Sequence, residues 1–183
     1  MRLVARTSNL LRREPPRAAL DRTDRAILAA LLHDVRRSNK ELAAAVGLAP
    51  SSCLARVKRL RDAGVLRGAH AEIDGRALGV ELEALVAVQL RRHARAEVEA
   101  FRRHALALPE VVAIFHVAGA VDFLIHVAVQ NAHHLRNLAL DAFTSRPEVA
   151  RIETSLIFEA TRAWRLTDYT EEPAATKPRK RRR

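Results

Sequence analysis

The chain has 183 residues, 49% of them hydrophobic, one Cys, and a formal net charge of +11 from 32 Lys and Arg against 21 Asp and Glu. That length builds one or two compact domains with a core, and a lone Cys53 excludes an intrachain disulfide framework and a thiolate zinc site. No stretch approaches the roughly 20 uninterrupted apolar residues of a bilayer span and the N-terminus has no A-x-A-like cleavage site, so a cytoplasmic protein is expected.

Residues 1–19 carry a charge of +4 around Pro15-Pro16 without sustained periodicity, and read as a disordered basic arm. From Leu20 a helical stripe runs through Ile27, Leu28, Leu31 and Leu32, with Asp21 and Asp24 near the positive end of the helix dipole. Ser38-Asn39-Lys40-Glu41 has the form of a capping box and starts a short second helix over 39–46, which Gly47 closes in the left-handed conformation. Pro50 suits the first turn of a third helix that ends at Gly64. Leu54, Val57 and Leu60 are expected on its inward face, and Arg56, Lys58, Arg59 and Arg61 around the rest.

Beyond Gly64, residues 65–74 read as a strand leaving the helical domain, turned by Asp74-Gly75. The next elements are a strand over 81–90, a helix over 94–107, strands over 111–118 and 122–129, a helix over 132–144 and a strand over 150–160. The order βαββαβ is the split, ferredoxin-like arrangement, an antiparallel sheet with helices on one face. Val86, Val88 and Leu90 share one face of its first strand, and Phe123, Ile125 and Val127 alternate with Leu124, His126 and Ala128, so neither sheet face is polar. A second copy of the sheet is the expected cover, which predicts a homodimer and assemblies of dimers. The tail ends KPRKRRR and reads as a second disordered basic arm.

The fold class expected is therefore α+β: a basic arm (1–19), a three-helix helix-turn-helix domain (20–68), a linker strand and hinge (69–80), a ferredoxin-like domain (81–165) and a basic tail (166–183). Charge follows the same divisions, with +5 over 20–68 and +4 over 171–183 against −2 over 69–170. Basic surface that only conferred solubility would be spread evenly, so one end of the chain is built for a polyanion. A helix about 10–12 Å across fits a DNA major groove roughly 12 Å wide, and the third helix begins in hydroxyls and continues in cations. The expected DNA-contacting set is Asn39, Ser51, Ser52, Arg56, Lys58, Arg59 and Arg61. Within it Arg56 is assigned to a guanine, and Lys58, Arg59 and Arg61 to the phosphate backbone.

The segments LDRTDRAILAALLHDVRRSNKELAAAVGLAPSSCLARVKRLRDAGVLRGAHAEID and VVAIFHVAGAVDFLIHV resemble the Lrp/AsnC family of bacterial and archaeal transcription regulators, over about residues 20 to 165. The resemblance implies an N-terminal helix-turn-helix, a C-terminal effector and oligomerisation domain, an amino acid or related metabolite as effector, and dimers that associate further. It also implies that the G-x-x-D signature, here Gly119-Ala120-Val121-Asp122, and Thr154 in the last strand stand at the effector pocket. Gly allows a close backbone approach, exposed N–H groups hold a carboxylate, and Asp122 accepts from an ammonium or from backbone donors; a plain hairpin turn capped by Asp122 is the alternative. The chain departs from the family in having Ala49 before Pro50, where Ser is usual, and apolar residues between Gly119 and Asp122.

No nucleophile elbow, P-loop or dinucleotide fingerprint indicates an enzyme. His116, His126 and His133-His134 lack a carboxylate or Cys at ligand spacing, so no metal or cofactor is expected. Sirohaem decarboxylases share the domain plan, but lack the G-x-x-D loop and a strongly charged third helix. The remaining alternative is a nucleoid-associated protein that coats DNA with little sequence preference.

Overall fold

The structure, a computed structural model, describes residues 19–161, 163, 166 and 167. Apart from residues 19, 166 and 167, the two expected basic arms lie outside the described residues. The chain divides between His70 and Ala71 into two compact units.

In the first unit α1 (Arg22–His33) starts at Asp21, whose side chain accepts from the Asp24 N–H while Asp24 accepts from the Asp21 N–H. Ser38 and Glu41 repeat this reciprocal cap at α2 (Asn39–Val46), and Gly47 ends that helix at φ +69°. Helix α3 (Pro50–Asp62) has Pro50 in its first turn and no side-chain cap from Ala49. The core is Ile27, Leu42, Ala43, Cys53, Val57 and Leu60. Leu54, expected inward, is 57% exposed, and Cys53 takes its place. Both residues adjoin Val57 on a helical stripe, so periodicity alone favoured the more hydrophobic of the two. Leu32, on the expected stripe of α1, is also exposed.

The expected strand over 65–74 is not formed: residues 67–74 are irregular and lead into a 3-10 turn, Gly75–Leu78. The segment has strand-like composition but no laddered neighbour, without which extended backbone has nothing to pair with.

In the second unit β1 (Leu82–Leu90), α4 (Arg95–Ala107), β2 (Val111–His116), β3 (Phe123–Val129), α5 (Ala132–Leu138) and β4 (Val149–Ile157) follow the expected order. The sheet is antiparallel in the order β2-β3-β1-β4. Alternate residues Ala84, Val86, Val88 and Leu90 of β1 and Phe123, Ile125, Val127 and Val129 of β3 are buried with Phe101, Ala105, Leu135, Leu138 and Phe143 from the helices. The Phe101 ring lies 5.0 Å from Phe123 and 6.3 Å from Phe143, centroid to centroid. The last helix does not run uniformly to 144. Its final turn, Ala139–Thr144, widens to π geometry, with the Thr144 hydroxyl donating to the Ala139 carbonyl and both Ala142 and Phe143 buried. On the opposite sheet face Leu85, Ala87, Leu124 and Ala128 are half-buried and Phe115 is exposed. His126 is buried among them, 2.6 Å from the Glu83 carboxylate.

Candidate nucleic-acid interface and ligand loop

The sequence of α3 sets two stripes of different character. Ser51, Leu54, Lys58 and Arg61 fall at helical spacing on one exposed stripe, with Ser52 and Ala55 beside it. Among the described residues neither the Lys58 nor the Arg61 side chain has a hydrogen-bond or ion-pair partner. Arg61 also stands in the last turn, where a cation complements the helix dipole.

Arg56 and Arg59 differ from these two cations. The Arg56 guanidinium donates from Nη1 to Asp21 Oδ2 at 2.5 Å and to Asp24 Oδ1 at 2.9 Å, and Arg59 donates from Nη2 to Asp24 Oδ2 at 2.5 Å. Asp24 is fully buried, whereas Asp21 is half exposed. Burial pushes the Asp24 carboxyl up, but donation from Arg59, from the Asp21 N–H and from Arg56 holds it below its ordinary value near 3.8. The Asp24 N–H, and then Arg56, lower Asp21, while Asp21 and Asp24 raise Arg56. The guanidinium that the sequence assigned to a guanine is therefore a cross-link from α3 to the start of α1. Arg59, assigned to the phosphate backbone, does the same work. By sequence the two Asp residues complement the dipole of α1, and nothing local pairs residues 32 to 35 positions apart.

Asn39, also expected at DNA, donates from Nδ2 to the Pro50 carbonyl at 2.8 Å and ties the first turn of α2 to that of α3. Of the seven expected DNA contacts, Ser51, Ser52, Lys58 and Arg61 lie together on the exposed surface. Leu54 joins them, an apolar group that the sequence had placed in the core.

In the second unit the loop between β2 and β3 carries Gly119 at φ +153°, a conformation L side chains rarely adopt. Asp122 closes the loop. Its N–H donates to the Val88 carbonyl, and its own carbonyl accepts from the Val117 N–H, each at 2.9 Å. Its buried carboxylate accepts from the Leu90 N–H at 2.7 Å and lies 2.7 Å from His93 Nδ1. Both oxygens are thus engaged within the unit. Gly119 and Ala120 are exposed and Val121 half-buried, and among the described residues their three N–H groups have no hydrogen-bond partner. Thr154 is exposed on β4 opposite Val86, with β1 between it and β3. The expected loop residues are contiguous, and Thr154 is set apart from them.

Residues 20–61 match the AsnC-type helix-turn-helix domain and residues 83–163 the Lrp/AsnC ligand binding domain. The chain belongs to the Lrp/AsnC family of transcriptional regulators. It is 41% identical over 140 residues to the HTH-type transcriptional regulator AldR of Mycolicibacterium smegmatis, covering 76% of this chain and 82% of that one. It is 34% identical over 140 residues to the leucine-responsive regulatory protein of Rhizobium meliloti, covering 76% and 90%. Among solved structures it is similar to a Neisseria meningitidis transcriptional regulator determined as its L-Met complex, with a TM-score of 0.72, 30% identity and coverage of 79% and 93%. As an Lrp/AsnC regulator it joins a helix-turn-helix to a ligand binding domain of ferredoxin-like topology.

Proposed function

We propose that this Lrp/AsnC regulator reads duplex DNA through the exposed stripe of α3, with Ser51, Ser52 and Leu54 at base edges and Lys58 and Arg61 on phosphates. Arg56, Arg59 and Asn39 hold the helix in place. The observation that carries this reading is the pair of cations whose side chains have no partner among the described residues, on an outward face whose first turn offers small hydroxyls and one methyl-bearing side chain. Such a face supplies phosphate attraction, hydroxyl hydrogen bonds and apolar contact with a thymine methyl in the same groove.

The ligand of the second unit is a small carboxylate-bearing molecule of amino-acid type. The N–H groups of Gly119, Ala120 and Val121, unbonded among the described residues, suit a carboxylate, and the similar regulator solved with L-Met supports the class. Asp122 shapes the loop and does not receive the ammonium. The partly apolar open sheet face supports a homodimer and higher assemblies in a cytoplasmic, nucleoid-associated regulator.

Lys58→Ala and Arg61→Ala test the DNA assignment. Each removes one phosphate contact, so binding to any duplex should fall by about tenfold, and the salt slope should lessen by about 0.9 for each recognition helix engaged. Ser52→Ala and Leu54→Ala should instead lower preference for a duplex selected from a random pool. Equal losses for all four variants on selected and random duplexes would favour a DNA-coating protein over a sequence reader.

A further inference from the structure

The network at the start of α1 divides the four cations of α3 into two pairs. Lys58 and Arg61 present net charge, whereas Arg56 and Arg59 share two carboxylates and form with them a cluster of zero formal charge. Its two acids are not equivalent. Asp24 is fully buried and binds both guanidiniums, so no phosphate reaches it or displaces it. Asp21 is half exposed, and lines an open recess with Ser52, Ala55, Arg56 and Arg59 on the flank of the reading stripe.

We infer that Asp21 is a specificity-determining residue, whose carboxylate withdraws the Arg56 guanidinium from DNA phosphates and so keeps affinity for random sequence low. The inference rests on α3 being the DNA-reading helix. A phosphate entering the recess meets the Asp21 carboxylate, so what Arg56 attracts, Asp21 repels at similar range. With that carboxylate neutral, the cluster carries one net positive charge, and Arg56 Nη1 keeps only Asp24 as a partner. The freed guanidinium is then a sequence-independent contact beside Ser52. Its gain applies to every duplex alike, including sites where the hydroxyls and Leu54 fit poorly. Relative preference for the correct sequence falls because a phosphate contact strengthens the competing background.

Asp21→Asn isolates this role. Asn caps a helix about as well as Asp, and Asp21 uses Oδ1 for the Asp24 N–H but Oδ2 for Arg56, so the amide keeps the cap and loses the ion pair. In salt titrations of the full chain on a random-sequence duplex, Asp21→Asn should bind about threefold to tenfold tighter at low salt, with a slope steeper by about one per recognition helix. Preference for a duplex selected by the wild-type protein should fall. In an Arg56→Gln background the same substitution should raise affinity and slope by much less, since only the carboxylate's own repulsion is then relieved. An unchanged slope for Asp21→Asn, or an equal change with Arg56 absent, would overturn the inference. Lys58→Ala on the same random duplex separates the two levels. Undiminished binding there removes α3 from the interface altogether, whereas a loss for Lys58→Ala beside an inert Asp21→Asn overturns only the role of Asp21.

Discussion

Replacing Asp122 by Ala should destabilise the ligand-binding unit by about 2–3 kcal/mol, the size expected when a buried donor loses a charged acceptor. Asp122 is 7% exposed, and its carboxylate joins three parts of the unit: the loop that ends at β3, the end of β1 through the Leu90 N–H, and the approach to α4 through His93. With Ala, the N–H of the buried Leu90 loses its acceptor. The larger part of the loss lies there, because the His93 ring is mostly exposed and finds water. Asp122→Asn retains a carbonyl acceptor and should lose about 1 kcal/mol. His93→Ala should change stability by less than either. Urea denaturation followed by circular dichroism measures all three. If Asp122→Ala cost no more than His93→Ala, the bond to Leu90 would not be holding the loop. The loop that carries the N–H groups of Gly119 to Val121 depends on the same anchor. Thermal shifts produced by an L-amino acid on the wild-type protein should therefore disappear in Asp122→Ala and persist in His93→Ala.

The same residue shows what the sequence could disclose. That Asp122 ends a turn beginning at a glycine was legible from four consecutive positions. That its two oxygens reach residues 29 and 32 positions away was not, because no periodicity reports such pairings. The cap boxes of α1 and α2 and the strand alternation of β1 and β3 are short-range patterns, and they fold as local chemistry dictates. Errors arose where two local choices were nearly equivalent or where a distant partner decided. Cys53 and Leu54 both satisfy the helical period, and it is Cys53 that packs with Ile27, Leu42 and Leu60. Residues 67–74 satisfy strand composition without a neighbouring ladder. Arg56 resembles a base reader until Asp21 and Asp24, on another helix, engage it.

Asp24→Ala should destabilise the helix-turn-helix unit by about 2–4 kcal/mol, because removing one partner of a buried charge network leaves the others without compensation. Its carboxylate accepts from Arg56, Arg59 and the Asp21 N–H, and no water reaches it to soften the loss. Both guanidiniums extend toward solvent, which places the effect toward the lower end of that range. The tie between α1 and α3 goes with it, so order in α3 should fall along with stability. The acid dependence gives a separate signature. A carboxyl held below its unfolded value contributes its stability above that value and loses it as pH falls through the native one. Asp24 is held below 3.8, so the gap between wild type and Asp24→Ala should be full at neutral pH and close progressively below about pH 4. Denaturation of both proteins across that range measures the gap directly. A difference that stayed constant into strong acid would mean that Ala at position 24 acts through packing alone, and that the four-charge cluster does not secure α3.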